Sequence, residues 1–389
     1  MVLASAAILP EAKIDSIKQG PDTGFDFIEI IHNSKVRGRK ANVTEGVAVF
    51  EATLRRLAIF RPFLFMDLVS LSDIEQARQR LHGMIRHTPL LPFDVAELPG
   101  EHVFLKPESL QPIGSFKLRG AGNRILALSA EERARGVLAY SSGNHAQGVA
   151  YAARQLGMKA TIIMPTNAPQ VKVAATRALG AEVILYDPAL EKREVVAARL
   201  LASAAYPPVL VPPFDDAHVI AGQGTVGLEI FEDLPAVDMV LAPVGGGGLL
   251  SGVAAALKAL KPSVKIIGVE PELAADAQAS FREGRVVEWA AADTNRTLAD
   301  GVRTLALSER TFRHLRAHAD DVITVSEAEL RAAARRLLLE ARLVVEPTAA
   351  LPLAALLRHR AALPPSQHTV LILSGGNADP ATLIELLRD

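Results

Sequence analysis

From about residue 100 onward the chain alternates short, continuous apolar runs with helical patterns, and this alternation limits the possible folds most. Val137–Tyr140, Ala160–Met164, Glu182–Tyr186, Met239–Ala242, Ile266–Val269 and Val370–Leu373 read as buried strands. Strands that are apolar without interruption belong in parallel sheets covered on both faces, whereas a half-exposed antiparallel sheet would alternate apolar and polar residues. Helical patterns lie between them at His145–Leu156, Val171–Leu179, Gly222–Phe231 and Leu250–Leu260. An α/β fold with right-handed crossovers follows. The units suffice for two sheets, with a ligand in the cleft between them.

Composition narrows the class. The 389 residues suffice for one large or two ordinary domains. A formal net charge of −1 and interspersed signs give no reason to expect nucleic acid or an anionic membrane as partner. Cysteine is absent, which excludes disulfides, thiolate metal sites and cysteine nucleophiles. That absence suits a reducing cytosol, so a cytoplasmic location is expected. No apolar run reaches the roughly 18–20 residues that cross a bilayer. Residues 1–65 differ from the rest: an apolar opening from Val2 to Leu9, a polar stretch at Gln19-Gly20-Pro21, a basic cluster at Lys35–Lys40. They lack the features of a secretory signal and suggest no chemistry, so they read as an N-terminal extension. From Met66 the pattern sharpens, with Ser72-Asp73-Ile74-Glu75 as a capped helix start and an amphipathic run to His82.

Four stretches carry chemistry. Lys117, in Ser-Phe-Lys-Leu-Arg-Gly-Ala (115–121), sits at a predicted helix start between Phe116 and Leu118. An amine desolvated there has a lowered pKa and attacks an aldehyde more readily. Arg119, two residues on, faces elsewhere on a helix. Gly245 to Gly248 follow an apolar strand and precede a small-residue helix, so backbone N–H groups and a helix N-terminus can converge on a phosphate. Ser141-Ser142-Gly143-Asn144-His145 also joins a strand to a helix; such a turn can hold a carboxylate, and Asn144 can donate to a phenolate-like oxygen. The same residues would equally serve as a helix cap. Ser374, in Leu-Ser-Gly-Gly-Asn (373–377), offers a hydroxyl to a pyridine nitrogen and no charge to hold it protonated, which favours β-elimination over long-lived carbanions. Together they read as the site of pyridoxal phosphate held as a lysine Schiff base. Weaker signals remain. Glu270 and Asp276 on one loop can hold a hard divalent cation, though solvated acids are the simpler reading. Glu346 follows an apolar run and, if buried, needs a donor. Arg303 and Thr304 lie on a loop that can meet substrate.

Taken in order with Ala-Gly-Gln-Gly-Thr (221–225) and Val-Glu-Pro-Thr-Ala (345–349), these stretches resemble the fold type II pyridoxal phosphate enzymes, most closely the threonine/serine ammonia-lyase and serine racemase group. The resemblance spans roughly 66–389, and the set is far more specific than any member. It implies a two-lobed fold like the tryptophan synthase β chain. The large cofactor-binding domain would comprise 66–135 and 214–389, and a small mobile domain 136–213. By the same resemblance Lys117 carries the cofactor and later acts as base at Cα, and Gly245, Gly246, Gly247 and Gly248 bind its phosphate. Asn144 meets the ring oxygen, Ser374 the ring nitrogen, Phe116 lies against the ring, and Glu346 lies close by. Ser141, Ser142, Gly143, Asn144 and His145 hold the substrate carboxylate, with Ser142 on the face opposite Lys117, and Thr304 meets substrate. Glu270, Asp276 and the carbonyl of Ala274 match a divalent-cation site, for Mg2+ or a similar ion.

The implied activity is dehydration and deamination of L-threonine and L-serine. Serine racemase, 3-hydroxyaspartate ammonia-lyase and a non-catalytic amino-acid sensor are the alternatives. A homo-oligomer, dimer or tetramer, is expected. The chain departs from the pattern twice. It stops shortly after Ser374, like a short form without a C-terminal regulatory domain, and Phe214 stands where racemases tend to place a polar residue, which leans towards the lyase.

Overall fold

In the computed structural model, which describes residues 68–168 and 170–388, the apolar runs form two sheets. The reading of residues 1–65 lies outside the described residues. The strands are β1 (Leu91–Pro92), β2 (His102–Pro107), β3 (Val137–Tyr140), β4 (Ala160–Pro165), β5 (Glu182–Tyr186), β6 (Val209–Leu210), β7 (Met239–Pro243), β8 (Lys265–Pro271), β9 (Asp321–Val325) and β10 (His368–Leu373). The larger sheet runs β1-β2-β10-β7-β8-β9 and is parallel apart from the β1–β2 pair. The smaller sheet, β5-β4-β3-β6, is parallel throughout. The mixed α/β architecture with mostly parallel sheets is therefore as the apolar runs imply.

The helices are α1 (Leu71–Leu81), α2 (Lys117–Leu126), α3 (Ala130–Arg135), α4 (Asn144–Gln155), α5 (Gln170–Ala178), α6 (Arg193–Ser203), α7 (Ala217–Asp233), α8 (Gly248–Leu260), α9 (Asp276–Glu283), α10 (Ala291–Thr294), α11 (Glu309–His318), α12 (Glu327–Leu339), α13 (Leu351–His359) and α14 (Pro380–Arg388). They explain why the strands are apolar without a break. In β7, Val240 and Ala242 pack with Leu250 and Val253 of α8, while Leu241 packs on the other face with Leu353 and Leu356 of α13. In the smaller sheet Leu138 and Ile163 pack with Val196 of α6, and Ala139 and Ile162 with Val149 of α4. Both faces of the central strands are core; the edge strand β5, expected to be buried, is part-exposed because it has a neighbour on one side only.

Boundaries shift for local reasons. α1 is capped by Ser70, in extended backbone, and not by Ser72: the Ser70 hydroxyl accepts from the Asp73 N–H and the Asp73 carboxylate accepts from the Ser70 N–H. α7 starts at Ala217 because Asp216 caps it. Gly222 is interior to that helix, where a Cβ would lie 2.3 Å from the Arg119 carbonyl oxygen, so it marks close approach to α2. Strand β2 escaped the apolar pattern because Lys106 sits inside it, fully buried.

Lys106 belongs to a buried cluster of four charges. The Arg119 guanidinium, 0% exposed, forks onto Glu108 at 2.7 and 2.7 Å and onto Glu229 at 2.6 and 2.8 Å. Lys106 Nζ lies 2.7 Å from Glu229. Two cations and two carboxylates balance, and each is satisfied by geometry that a lysine in place of Arg119 could not reproduce. The cluster joins the end of β2, the turn at Glu108–Leu110, α2 and α7, and so fixes the loop that delivers Lys117. Replacing Arg119 by Met leaves buried negative charge and is expected to lower unfolding stability by roughly 3–5 kcal/mol. Arg119→Lys recovers only part of this; chemical denaturation measures both.

Candidate active site

Parallel strands discharge their loops at one edge, and the chemistry-bearing stretches sit there. Ser141 follows β3, the glycines follow β7, and Ser374 follows β10. With Lys117, Asn144, Thr304 and Glu346 they line one cavity of about 640 Å³. All the residues read from the sequence as cofactor- or substrate-binding border it; Glu270, Ala274 and Asp276 do not.

Lys117 is the first residue of α2 and is half-buried. Its Nζ donates to the Pro213 carbonyl at 2.9 Å and lies 5.2 Å from the Phe116 ring centroid. Desolvation lowers its pKa to about 8, against the pull of the Glu346 carboxylate. The Phe116 N–H donates to the Ser374 carbonyl, which ties the lysine loop to the end of β10. The Ser374 hydroxyl is buried and has no partner among the described residues, and neither has the buried Thr304 hydroxyl. Arg303 borders the cavity too, but its guanidinium donates to the Thr297 carbonyl.

The glycine turn is shaped for an anion. Gly247 has φ +82° and precedes α8 with no side chain capping the helix, so the first-turn N–H groups need another acceptor. A Cβ on Gly246 would lie 2.2 Å from the Phe214 ring, which forms one wall of the cavity. At the start of α4 the Ser141 hydroxyl accepts from the Gly143 N–H at 3.2 Å, and Ser142 lines the cavity. Asn144 donates to both oxygens of Glu346, at 2.9 and 3.0 Å. Glu346 is 4% exposed, and burial with the nearby Asp300 charge raises its pKa to about 7. His145 is buried and donates Nε2–H to the Val211 carbonyl at 2.8 Å. Burial, then the Lys117 charge, push its pKa down to about 3, so it is a neutral ring and no base near pH 7.

Two cations at the cavity edge were not singled out from the sequence. Lys172 of α5 pairs with Asp300 at 2.7 Å, and the Arg193 guanidinium lies 5.1 Å from the Tyr140 ring centroid. Arg193 is exposed and also pairs with Glu194 at 2.8 Å, so nothing in Glu191-Lys192-Arg193-Glu194 sets it apart from a solvated charge run.

Glu270 and Asp276 are both 0% exposed, which corrects the simpler reading of solvated acids. Glu270 accepts from the Ala277 and Gln278 N–H groups at 3.1 and 2.7 Å. Neither Asp276 oxygen has a hydrogen-bond partner among the described residues. Burial raises the Glu270 pKa well above the usual range, with the Asp276 charge adding to it, and burial raises Asp276 to about 7. Ala274 is buried in the turn between β8 and α9. No group of three or more metal-ligating side chains occurs among the described residues, so a cation here needs backbone carbonyls and water as well.

Comparison with known proteins gives a consistent picture. The family described as "Pyridoxal-phosphate dependent enzyme" matches residues 81–375. A threonine deaminase of known structure, from the organism abbreviated T.th., is 50% identical, with a TM-score of 0.74, covering 80% of this chain and 99% of that one. Maize serine racemase has a TM-score of 0.77 at 35% identity, covering 83% and 98%. The L-threo-3-hydroxyaspartate ammonia-lyase of Saccharomyces cerevisiae is 42% identical over 328 residues, 83% of this chain and 99% of its own length.

The buried acid pair carries a pH signature. Both carboxyls keep their protons to higher pH when folded than the roughly 4 of an unfolded acid. Their stabilising effect is complete below that value and fades as pH rises through the raised folded values, about 7 for Asp276. In chemical denaturation without cofactor or divalent metal, Glu270→Gln/Asp276→Asn is expected to gain stability over the unmodified chain at pH 8, and not at pH 4.

Proposed function

Because the chain belongs to the pyridoxal-phosphate dependent enzymes, we propose that it converts L-threonine, and L-serine, to 2-oxobutanoate or pyruvate plus ammonia. The observation that carries this reading is the pairing, across one cavity, of an amine lowered to about 8 with a buried, unpartnered serine hydroxyl at the end of β10. Uncharged Ser374 opposite the ring nitrogen tempers the ring and favours expulsion of a β-substituent. Phe214 gives the cavity an apolar wall, which suits the methyl group of threonine.

The residues present fit the cofactor. Lys117 would hold its aldehyde carbon, Gly245 to Gly248 with the N-terminus of α8 its phosphate, Asn144 its ring oxygen and Ser374 its ring nitrogen, with Phe116 and Glu346 alongside. When bound, the cofactor supplies an electron sink for the charge left at the substrate Cα. The Lys117 amine, when free, would take the Cα proton; its lowered pKa leaves part of it neutral near pH 7–8. The turn Ser141–His145 holds the substrate carboxylate and Thr304 contacts the substrate. Ser142 on the opposite face is the group a racemase would use. Loss of the Cα proton and β-hydroxyl expels water; the enamine released takes water back up and yields keto acid and ammonia.

A second reading rests on Arg193. Its guanidinium, at the cavity edge and paired with Glu194 at 2.8 Å, would meet a second carboxylate by exchanging that partner, which would favour 3-hydroxyaspartate as substrate. A keto-acid assay across threonine, serine and 3-hydroxyaspartate separates the two. Threonine turning over fastest, and Arg193→Gln leaving its kcat/KM within about twofold, is the expected result. Preference for hydroxyaspartate, lost in Arg193→Gln, supports the second reading. Lys117→Ala should lose activity by 10²–10⁴-fold or more, on the order of a deleted general base. D-serine accumulating faster than keto acid would overturn the lyase.

Glu270, Asp276 and the Ala274 carbonyl are proposed to hold a divalent cation, which would relieve the repulsion between two buried carboxylates. Mg2+ should then raise the unfolding temperature at pH 8, lose that effect near pH 5 where both acids are protonated, and do nothing for Asp276→Asn.

A further inference from the structure

The motif at residues 373–377 ends in an asparagine that the site described above does not use. Asn377 is part-buried, and its Nδ2 lies 2.8 Å from the Ile113 carbonyl oxygen and 2.8 Å from Asn144 Oδ1, with Gln147 Oε1 at 3.4 Å. A backbone carbonyl only accepts, so the Ile113 contact leaves one orientation for the Asn377 amide. In that orientation its second N–H donates to Asn144 Oδ1. Asn144 is thereby left with its own NH2 directed at Glu346. We propose that Asn377 is a positioning residue, which sets the amide of Asn144 so that it presents donors and not its carbonyl to the cavity.

The alternative state is real chemistry and not a formality. The two orientations of an amide are nearly the same shape, so packing alone does not choose between them. A protonated Glu346 could donate to a reversed Asn144, and with its pKa near 7 that form is well populated at neutral pH. A reversed amide would aim a carbonyl at the ring oxygen that the site is proposed to bind. Asn377 removes this state by an unbroken series of donors that starts from main chain. The series also needs room: Gly114 has φ +73°, and a Cβ there would lie 2.4 Å from Asn377 Oδ1, so only glycine admits the amide beside the lysine loop.

The inference rests on the reading that Asn144 meets the cofactor's ring oxygen, and the test separates the two. Cofactor-free protein is titrated with pyridoxal phosphate, following visible absorbance, and the pH midpoint of that absorbance is then measured. Asn144→Ala and Asn377→Asp, whose carboxylate cannot donate, should each weaken binding by about tenfold, the scale of one charge-assisted hydrogen bond. Each should also raise the pH midpoint, since the ring oxygen loses a donor. The double variant should bind within about twofold of Asn144→Ala, because Asn377 acts through Asn144. Wild-type affinity and midpoint in Asn377→Asp overturn the proposal, and so do losses that multiply in the double variant, which would mark a role in folding. If Asn144→Ala itself matches wild type in both readouts, the assignment of Asn144 fails and takes this inference with it. Should Asn377→Asp not fold, Asn377→Ser, shorter and with a single donor, is read by the same outcomes.

Discussion

The double fork of Arg119 onto Glu108 and Glu229 is the interaction from which the rest of the site hangs. Burying four charges costs several kcal/mol per ion before any is regained, so the arrangement holds only if every partner is in place. That requirement makes it a gauge. The end of β2, the Glu108 turn, α2 and α7 must all register before the charges cancel, and Lys117 stands two residues from the gauge's centre. Thr225, in the Ala-Gly-Gln-Gly-Thr segment of α7, accepts from the same guanidinium at 3.1 Å, and Gly222 one turn earlier lets α7 touch the α2 backbone. The small residues of this helix are thus the contact surface that sets the lysine.

The parallel sheets supply the second constraint. Apolar strands buried on both faces leave polar groups nowhere to go except beyond the strand ends. The turns before α4 and α8 lead into helices whose first-turn N–H groups no side chain caps, and both turns border one cavity. The glycine turn shows the consequence most plainly: the steric gap that admits Phe214 against Gly246 and the left-handed Gly247 come from the same small residues that free the N–H donors.

Much of this was legible in the sequence, and what was missed has physical reasons. Uninterrupted apolar runs announced β3, β7 and β10 because periodicity reports burial directly, whereas β5, read as buried, is an edge strand with Leu185 42% exposed. Lys117, the glycine run and Ser374 stood out because their residue types are unusual where a strand ends. Two-residue strands such as β1 and β6 are too short to give a period to read. Lys106 concealed β2 because a charge inside a strand normally argues exposure, and its partner Glu229 lies far along the chain. Arg119 was read as facing away from Lys117, and it does; spacing on a helix tells direction but not what waits there. Burial of Glu270 and Asp276 was equally invisible, since two acids in a loop look the same wet or dry.

Desolvation also explains why the cavity suits proton transfer. Removing water disfavours charge whatever its sign, so it lowers Lys117 from 10.5 to about 8 and raises Glu346 from 4.5 to about 7. Two groups that ordinarily never compete for a proton are brought towards the same pH range. His145, a base like Lys117, is also lowered, to about 3, and drops out as a competitor despite its place in the same wall. Desolvation, with the Asp300 and Lys117 charges adding to it, therefore sorts three titratable neighbours into one amine that exchanges protons near neutrality, one carboxyl that responds to it, and one ring that only holds a hydrogen bond. A substitution that lets water into this cavity would undo all three assignments together, with Lys117 fully charged at neutral pH and Glu346 an ordinary acid.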